Sequence, residues 1–420
     1  MKNIYAVLDI GCSTIKLLVG EVVSANVHVL YVKKVPNRGA SKDVIDNPVV
    51  VSEIIKELVE DANQTLETNI TDIALVIPSV HANIYGGEGF VKTNNTGIIN
   101  TDDIVRALQA SAKFKLSKDE ERISVIPTRY FLDTKSTTDN PVGMRSTSLK
   151  VRSLVITTQK DVLYQYIMCV ENAGYHVLEI TVDAYACAKE AFDTAYLNEG
   201  AVLIDIGHRS TTISFFEEGY LKYITKLGIG GYTLTKMIAS RWQIPIEKAE
   251  LYKIRYGTCE EEIGNEDIIH VNTTPSGIVQ YTQKHLSLLL RDATEEMMKS
   301  IKSKLEVIEN GRHFETVIVG GGGEIPDIDK IASKVLQTPV RTYRPDTIGA
   351  REMCYVSNLG MLYYLNDRGS IVGELKPSLE LPDISNTMNL RFKGLTKAKK
   401  EDDKKNKLTS IIDTIFNEDE

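Results

Sequence analysis

Two aspartates stand in the same local setting nearly half a chain apart. Asp9 lies in the run AVLDIG, residues 6–11, followed by Cys12, Ser13 and Thr14. Asp205 lies in AVLIDIG, residues 201–207, followed by His208, Arg209, Ser210, Thr211 and Thr212. Each run reads as a strand ending in Asp-Ile-Gly that turns and resumes as a second strand, IKLLVGEV in one copy and TISFFEEG in the other. A carboxylate beside a turn rich in hydroxyls suits a polyphosphate, because the turn donates to phosphate oxygens while the carboxylate faces a divalent cation such as Mg²⁺. Asp9 and Asp205 are the candidate carboxylates, and Gly11 and Gly207 allow close backbone approach. Cys12, Ser13, Thr14, Ser210, Thr211 and Thr212 are candidate donors from side chain or main chain, and Lys16 adds a point charge. The plain alternative is an aspartate capping a turn at a permissive glycine. A second copy with hydroxyls in both turns weighs against it.

Two glycine clusters extend the pattern. Gly228-Ile229-Gly230-Gly231 follows the strand-like LKYITKL and precedes TLTKMIASRW, which has helical apolar spacing. Gly320, Gly321, Gly322 and Gly323 follow ETVIV and precede the helical DIDKIASKVL. Strand, glycine turn and helix N-terminus is an arrangement whose backbone N–H groups and dipole favour an anion, although tight turns also need glycine. The chain has no GxxxxGK[ST] loop, and no GxGxxG follows the first strand.

The elements that must hold these turns alternate between strand and helix through most of the chain, which predicts α/β layers. Helices are predicted near 49–66, 184–198, 233–256 and 280–308. Residues 85–160 differ: a helical DDIVRALQASAKF stands among GGEGFVKT, ERISVIPTRYFLD and SLKVRSLVIT, which reads as an inserted α+β module. With 420 residues, 42% apolar and 25% charged, the chain has ordinary globular usage, which excludes wholesale disorder. A net charge of −8 argues against nucleic acid as a partner. Five scattered cysteines without a CxxC pair read as reduced thiols rather than a metal site. The start reads as a strand rather than a signal peptide, and no apolar run reaches the ~18 residues of a spanning helix.

With these segments in place the chain resembles the actin-like ATPase superfamily, in which two lobes each present a phosphate-binding hairpin to a nucleotide. Within it the likeness is to the FtsA family of bacterial cell-division proteins. It runs through LDIGCSTIK, VDAYACAKEAF, LIDIGHRSTTIS, VIVGGGGEIPDI and NLGMLYYL, and the inserted region adds VIPTRYFLD and the specific Asn140-Pro141-Val142-Gly143-Met144. The resemblance implies an α/β, two-lobed actin-like ATPase fold built of duplicated ribonuclease-H-like domains with an inserted α+β subdomain. It divides the chain into a first lobe over 1–84, the insertion over 85–160, more of the first lobe over 161–185, and the second lobe over 186–227. A small subdomain of the second lobe over 228–302, its remainder over 303–357 and a return to the first lobe over 358–383 complete the body.

Carried over residue by residue, the resemblance implies ATP with Mg²⁺ held through water near Asp9 and Asp205, and Asp183, with Asp205, as the catalytic carboxylates, Asp183 orienting the attacking water. A helix N-terminal role for Asp183 is the structural alternative, and both can coexist. Glu250 and Lys253, three apart on one helical face, fall in the segment that lines the nucleoside, with Gly230 and Gly231 before it and Gly320–Gly323 at the adenosine. His208 and Arg209 stand where small residues are usual, and Glu324 where a neutral residue is commoner, which bears on hydrolysis rate more than on binding. Hydrolysis is expected to be weak or absent.

From residue 384 the core signals stop. KAKKEDDKKNK, residues 397–407, closes a charged linker over 384–407, and residues 408–420 are apolar again. At 100° per residue Leu408, Ile411, Ile412, Ile415 and Phe416 form one stripe, which suits a membrane surface, the protein's own core or a partner groove. Full burial of five such side chains is worth roughly 8–15 kcal/mol, but interfacial immersion is partial and ordering a short helix opposes it. One tail binds weakly, and filaments bind by avidity. The resemblance implies this design: filaments of self-associated subunits on the cytoplasmic face of the cell membrane, contact with the FtsZ C-terminal tail, and recruitment of later division proteins. A small-molecule kinase and a pilus-assembly scaffold of the same superfamily are the alternatives.

Overall fold

The computed structural model describes residues 4–379, apart from 24–25, 42–43, 95–96, 134–136, 261–265, 275–276, 310–311, 373–374 and 376. The linker over 384–407 and the stripe of Leu408, Ile411, Ile412, Ile415 and Phe416 lie outside the described residues.

Two five-stranded sheets repeat one topology. In the first, the order is His176–Val182, Asp72–Ile77, Ile4–Ile10, Thr14–Val23, Asn26–Pro36. Ile4–Ile10 pairs parallel with Asp72–Ile77 and antiparallel with Thr14–Val23. In the second sheet the strands run Tyr220–Leu227, Thr211–Glu217, Ala201–Ile206, Glu315–Val319, Val340–Thr342. Ala201–Ile206 again pairs parallel on one side and antiparallel on the other. Both central strands are near-continuous apolar runs because both of their faces are covered: Ala6, Val7, Leu8, Val202 and Ile204 are fully buried. The two faces that meet across the molecule therefore each end in a hairpin turn after an Asp-Ile-Gly.

A third sheet, in the order Ala82–Lys92, Ser148–Gln159, Glu120–Leu132, Thr137–Thr138, carries helix Thr101–Ser111 on one face. That helix starts cleanly because Asn100 and Asp103 cap each other reciprocally. Ile104, Leu108, Val151 and Val155 form a core of its own. A further subdomain comprises helices Gly231–Trp242 and Ile246–Tyr256, the hairpin Ile268–Thr274 and Gly277–Thr282, and part of helix Gln283–Glu309. The single helix expected over 233–256 is two: Gln243 adopts φ 52° in the left-handed region, and Pro245 cannot continue the helix. The helix expected over 184–198 also divides, because Phe192 turns to extended backbone and packs its ring 6.5 Å from Phe216.

Helices Asp183–Ala191 and Val356–Val372 cross in the middle of the molecule, packed on each other and on the first sheet. They approach to backbone contact at Gly360, where a Cβ would lie 1.7 Å from the Ala186 carbonyl oxygen. A Cβ on Gly369 of the same helix would meet nothing within 4 Å.

This pair of glycines separates helix propensity from packing. Gly369→Ala is expected to stabilise the protein by up to about 1 kcal/mol. Gly360→Ala gains the same propensity but forces the helices apart, and a net loss of about 1–3 kcal/mol is expected. Urea denaturation of both variants checks this, and equal stabilisation by both would show that the crossing is loose.

Candidate functional site

The two Asp-Ile-Gly turns close in the same way. Gly11 N–H donates to the Thr14 carbonyl at 3.0 Å, and Gly207 N–H to the Ser210 carbonyl at 2.9 Å. Asp9 pairs across its hairpin with Lys16, and Asp205 with Thr212. Both turns open onto one cleft of about 330 Å³ between the two sheets. Asp9, Gly11, Cys12, Ser13, Thr14, Lys16, Asp183, Asp205, Gly207, Ser210, Thr212, Gly231, Glu250, Lys253, Gly320, Gly321 and Gly322 all line it.

Three residues of the expected set do not face the cleft. Thr211 occupies the register position of Ile15 in the other hairpin, so strand alternation turns it into the core, where its hydroxyl donates to the Ile229 carbonyl at 2.8 Å. Gly230 packs on the second turn, its Cβ position 2.6 Å from the Gly207 carbonyl oxygen. Gly323 is buried against Ile318 and Met353.

Charge in the cleft is organised around carboxylates. Asp9 accepts from Lys16 Nζ at 2.8 Å and from Ser357 Oγ at 2.6 Å. Burial disfavours the Lys16 ammonium, but the charge and hydrogen bond of Asp9 outweigh it and raise the pKa above the usual lysine value, with a smaller contribution from Asp205. Asp183, the first residue of its helix, accepts at Oδ1 from Ser79 N–H at 2.9 Å and from Ala184 N–H at 2.6 Å. Burial pushes its carboxyl up to about 6, against the pull of the Ser79 contact and with help from the negative charge of Asp9. The Cys187 thiol, one turn further on, is held well above its ordinary pKa by burial and then by Asp205, Asp183 and Asp9, so all three carboxylates converge on it.

The glycine clusters act differently from the helix-terminus anion site that the sequence suggests. Gly231 N–H donates to the Gly207 carbonyl at 3.0 Å and Tyr232 N–H to the His208 carbonyl at 2.7 Å. The first donors of helix Gly231–Trp242 are thus committed to the second turn, and the cluster is a joint that docks the small subdomain on it. Residues Gly321–Glu324 form a 3₁₀ turn, and the helix starts only at Ile328. Gly320, at φ 85°, lies against the carboxylate: a Cβ there would sit 2.1 Å from Asp205 Oδ1.

Lys253 Nζ donates to the Gly231 carbonyl at 3.0 Å, Thr235 Oγ1 at 2.8 Å and Glu250 Oε2 at 2.8 Å, so its three hydrogens tie the two small-subdomain helices together. Burial lowers its pKa, with Glu250 opposing. His208 and Arg209 gather on Tyr232, with ring centroids 5.1 Å apart for His208 and the Arg209 guanidinium 4.4 Å from the ring. Glu324 accepts from Arg344 and from Met353 N–H at 2.6 Å, as a clamp between segments. Lining residues outside the expected set include Lys34, Cys187, Met353, Cys354 and Ser357. Ser357 directly precedes the NLGMLYYL segment, but serine carries no local signal of its contact with Asp9. Lys34 has a clearer one, since it pairs with Lys16 across adjacent strands.

Among the described residues no group of three His, Cys, Asp or Glu side chains can hold a metal directly. Two carboxylates on the cleft wall, Asp9 and Asp205, fit a divalent ion held through water rather than by direct ligands, and Gly320 keeps a side chain from covering Asp205.

The duplicated sheets, the cleft between their turns and the inserted sheet define a two-lobed actin-like α/β protein. A chain of the PilM-PilN type IV pilus biogenesis complex matches with a TM-score of 0.58 at 14% identity, over 86% of this chain and 98% of that one. MreB5 of Spiroplasma citri bound to ADP matches with a TM-score of 0.53 at 12% identity, over 88% and 99%. At the level of sequence, the family model described as cell division protein FtsA matches residues 202–360, and the SHS2 domain inserted in FtsA matches 80–157. Cell division protein FtsA of Bacillus subtilis is 26% identical, over 99% of each chain, and that of Neisseria meningitidis is 25% identical, over 82% of this chain and 84% of the relative. The chain belongs to the FtsA family of bacterial cell-division proteins.

Asp183 gives a pH signature with a defined sign. Its folded pKa of about 6 is above the ordinary ~3.9, so its contribution to stability is fully present below pH ~4 and is lost as pH rises through 6. Asp183→Asn, which keeps the acceptor oxygen, is expected to match wild type near pH 4 and to exceed it by ~1–3 kcal/mol at pH 7.5. Unfolding free energies of the two proteins across that range, taken as a difference, measure it. A pH-independent difference would mean that the carboxyl titrates normally.

Proposed function

We propose that this FtsA-family chain binds ATP with Mg²⁺ in the interlobe cleft and polymerises into actin-like filaments on the cytoplasmic face of the membrane at the division site. There it anchors the FtsZ ring through the FtsZ C-terminal tail and recruits later division proteins. The observation that carries this reading is the convergence of two identically closed hairpin turns, one from each sheet, on a single acid-lined cleft.

In this reading the turns at Gly11–Thr14 and Gly207–Ser210 hold the phosphates from opposite sides, and Lys16 stays charged beside Asp9. When bound, Mg²⁺ supplies charge neutralisation between the phosphates and the outer carboxylates Asp9 and Asp205. Asp183, fixed at Oδ1 by two backbone donors and with its carboxyl raised to about 6, is suited to orient and polarise the attacking water. Glu250 and Lys253 form the nucleoside wall, with Lys253 as a fixed brace rather than a mobile cation. Hydrolysis is slow, and the nucleotide serves chiefly to set how the lobes close and assemble.

No described helix is long and apolar enough to cross a membrane. The reading places attachment on the stripe of Leu408, Ile411, Ile412, Ile415 and Phe416, with weak single tails added up along a filament. The likeness to the pilus-complex chain, at 14% identity, is one of fold and does not favour the scaffold alternative.

Two measurements test the two halves. Calorimetry of ATP binding with and without Mg²⁺ is expected to show that Asp205→Asn loses most of the Mg²⁺ dependence, by about tenfold or more, while metal-free ATP binds the variant no more weakly than wild type. An unchanged Mg²⁺ dependence would remove Asp205 from the ion's surroundings. Co-sedimentation with anionic liposomes, for the full chain and one ending at residue 405, is expected to pellet only the full chain. Equal pelleting would sink the membrane hook.

A further inference from the structure

We propose that the chain has a second ligand site, for a small carboxylate-bearing molecule, in a cavity on the opposite side of the two crossing helices from the acidic cleft. The cavity, of about 670 Å³, lies where three parts of the molecule meet. The inserted sheet contributes Pro127 and Tyr130, the crossing helices contribute Tyr185, Tyr364 and Arg368, and the turn of the second lobe contributes Tyr220. That volume falls within the ~300–1,000 Å³ of ordinary small-molecule sites.

The ligand class follows from what the cavity lacks. Tyr130 is 2% exposed, and its Oη has no hydrogen-bond partner. Arg368 Nε is likewise without one: its counter-charge, Glu179, lies 3.8 Å away, beyond hydrogen-bond length. The two groups feel each other electrostatically. Of the other charged residues in the lining, Lys189 donates to Asp367 at 2.7 Å and Glu218 accepts from Lys222 and Tyr220, while Arg129 and Asp139 bring one charge of each sign. Two groups able to donate therefore belong to residues that line the cavity, and neither has an acceptor within hydrogen-bond distance. A carboxylate can accept from both, with a charge-assisted bond from the guanidinium. Tyrosine faces and Pro127 suit an aromatic or apolar body.

The site is joined to the acidic cleft by shared elements. On helix Asp183–Ala191, Asp183 and Cys187 line the cleft while Tyr185 and Lys189, about 200° around the helix, line the cavity. On helix Val356–Val372, Ser357 lines the cleft and Tyr364 and Arg368 the cavity. Because the helices touch backbone to backbone at Gly360, an occupant of the cavity and one of the cleft bias the same rigid pair. This coupling rests on the nucleotide reading above, and binding to the cavity does not.

Calorimetry of the full chain with phenylacetate, phenylacetamide, acetate and inorganic phosphate tests the site, with and without ATP and Mg²⁺. Phenylacetate, with about ten non-hydrogen atoms, is expected to bind one site with a Kd of about 0.1–1 mM. The neutral amide, acetate and phosphate are expected to bind at least about tenfold more weakly. Tyr130→Phe removes a hydroxyl that has no partner in the free protein, so it leaves thermal stability unchanged or slightly raised and weakens phenylacetate about 3–10-fold. Arg368→Leu is expected to abolish binding, and Tyr130→Phe decides the matter should that variant not fold. Absence of binding up to about ten times the expected Kd, equal binding of the amide, equal binding of phosphate, or no effect of Tyr130→Phe would each overturn the site. ATP is expected to change the phenylacetate Kd about 5-fold or more, and phenylacetate to change the ATP Kd by the same factor. Phenylacetate binding that ignores bound ATP overturns the coupling, direct competition places the acid in the cleft and overturns the site, and phenylacetate binding without any ATP binding upholds the site against the nucleotide reading.

Discussion

Asp9, Asp183 and Asp205 are brought into one cleft by different elements, and their mutual repulsion is the constraint to which the surrounding structure answers. Lys16 meets one of them, Ser357 and the backbone at Ser79 and Ala184 meet two, and Gly320 gives up its side chain so that the backbone can lie against the third. Each of these contacts is made within one half of the molecule, so the two sheets set only how far Asp205 lies from Asp9 and Asp183. The crossing helices fix that distance, because helices in backbone contact at Gly360 have no slack along the line of approach.

The residues that depart from the usual family pattern find local partners. His208 and Arg209 pack around Tyr232 at the start of the helix docked on their own turn. Glu324 clamps Arg344 and the Met353 backbone and does not line the cleft. Bulk introduced at the second turn is therefore absorbed partly by the small subdomain rather than only by the cleft. That ties the position of the subdomain to the shape of the turn.

The paired hairpins are legible in the sequence because their signals are local: a buried strand, an Asp-Ile-Gly and a turn. The α/β fold is legible for the same reason, since one strand pattern occurs twice with helices between. Thr211 is not, because turn composition places it with Ser210 and Thr212 while register sends it inward. Lys253 illustrates a second limit: spacing puts it on the face of Glu250, but that three protein acceptors saturate it depends on a neighbouring helix. Ser357 illustrates a third, being 348 residues from Asp9 in sequence. The break between Trp242 and Ile246 is signalled by Pro245, and apolar spacing alone overrides it.

The two hairpins match in topology, register and turn closure, yet they differ at the rung that holds the aspartate: where Asp9 faces Lys16, Asp205 faces Thr212. A perfectly repeated pair would present its guest with two interchangeable sides and no preferred direction. The single exchange of an ammonium for a hydroxyl gives the cleft a polarity, so that whatever lies across it has a head and a tail. A difference at the rung of the aspartate is enough to turn a symmetric gap into an oriented one.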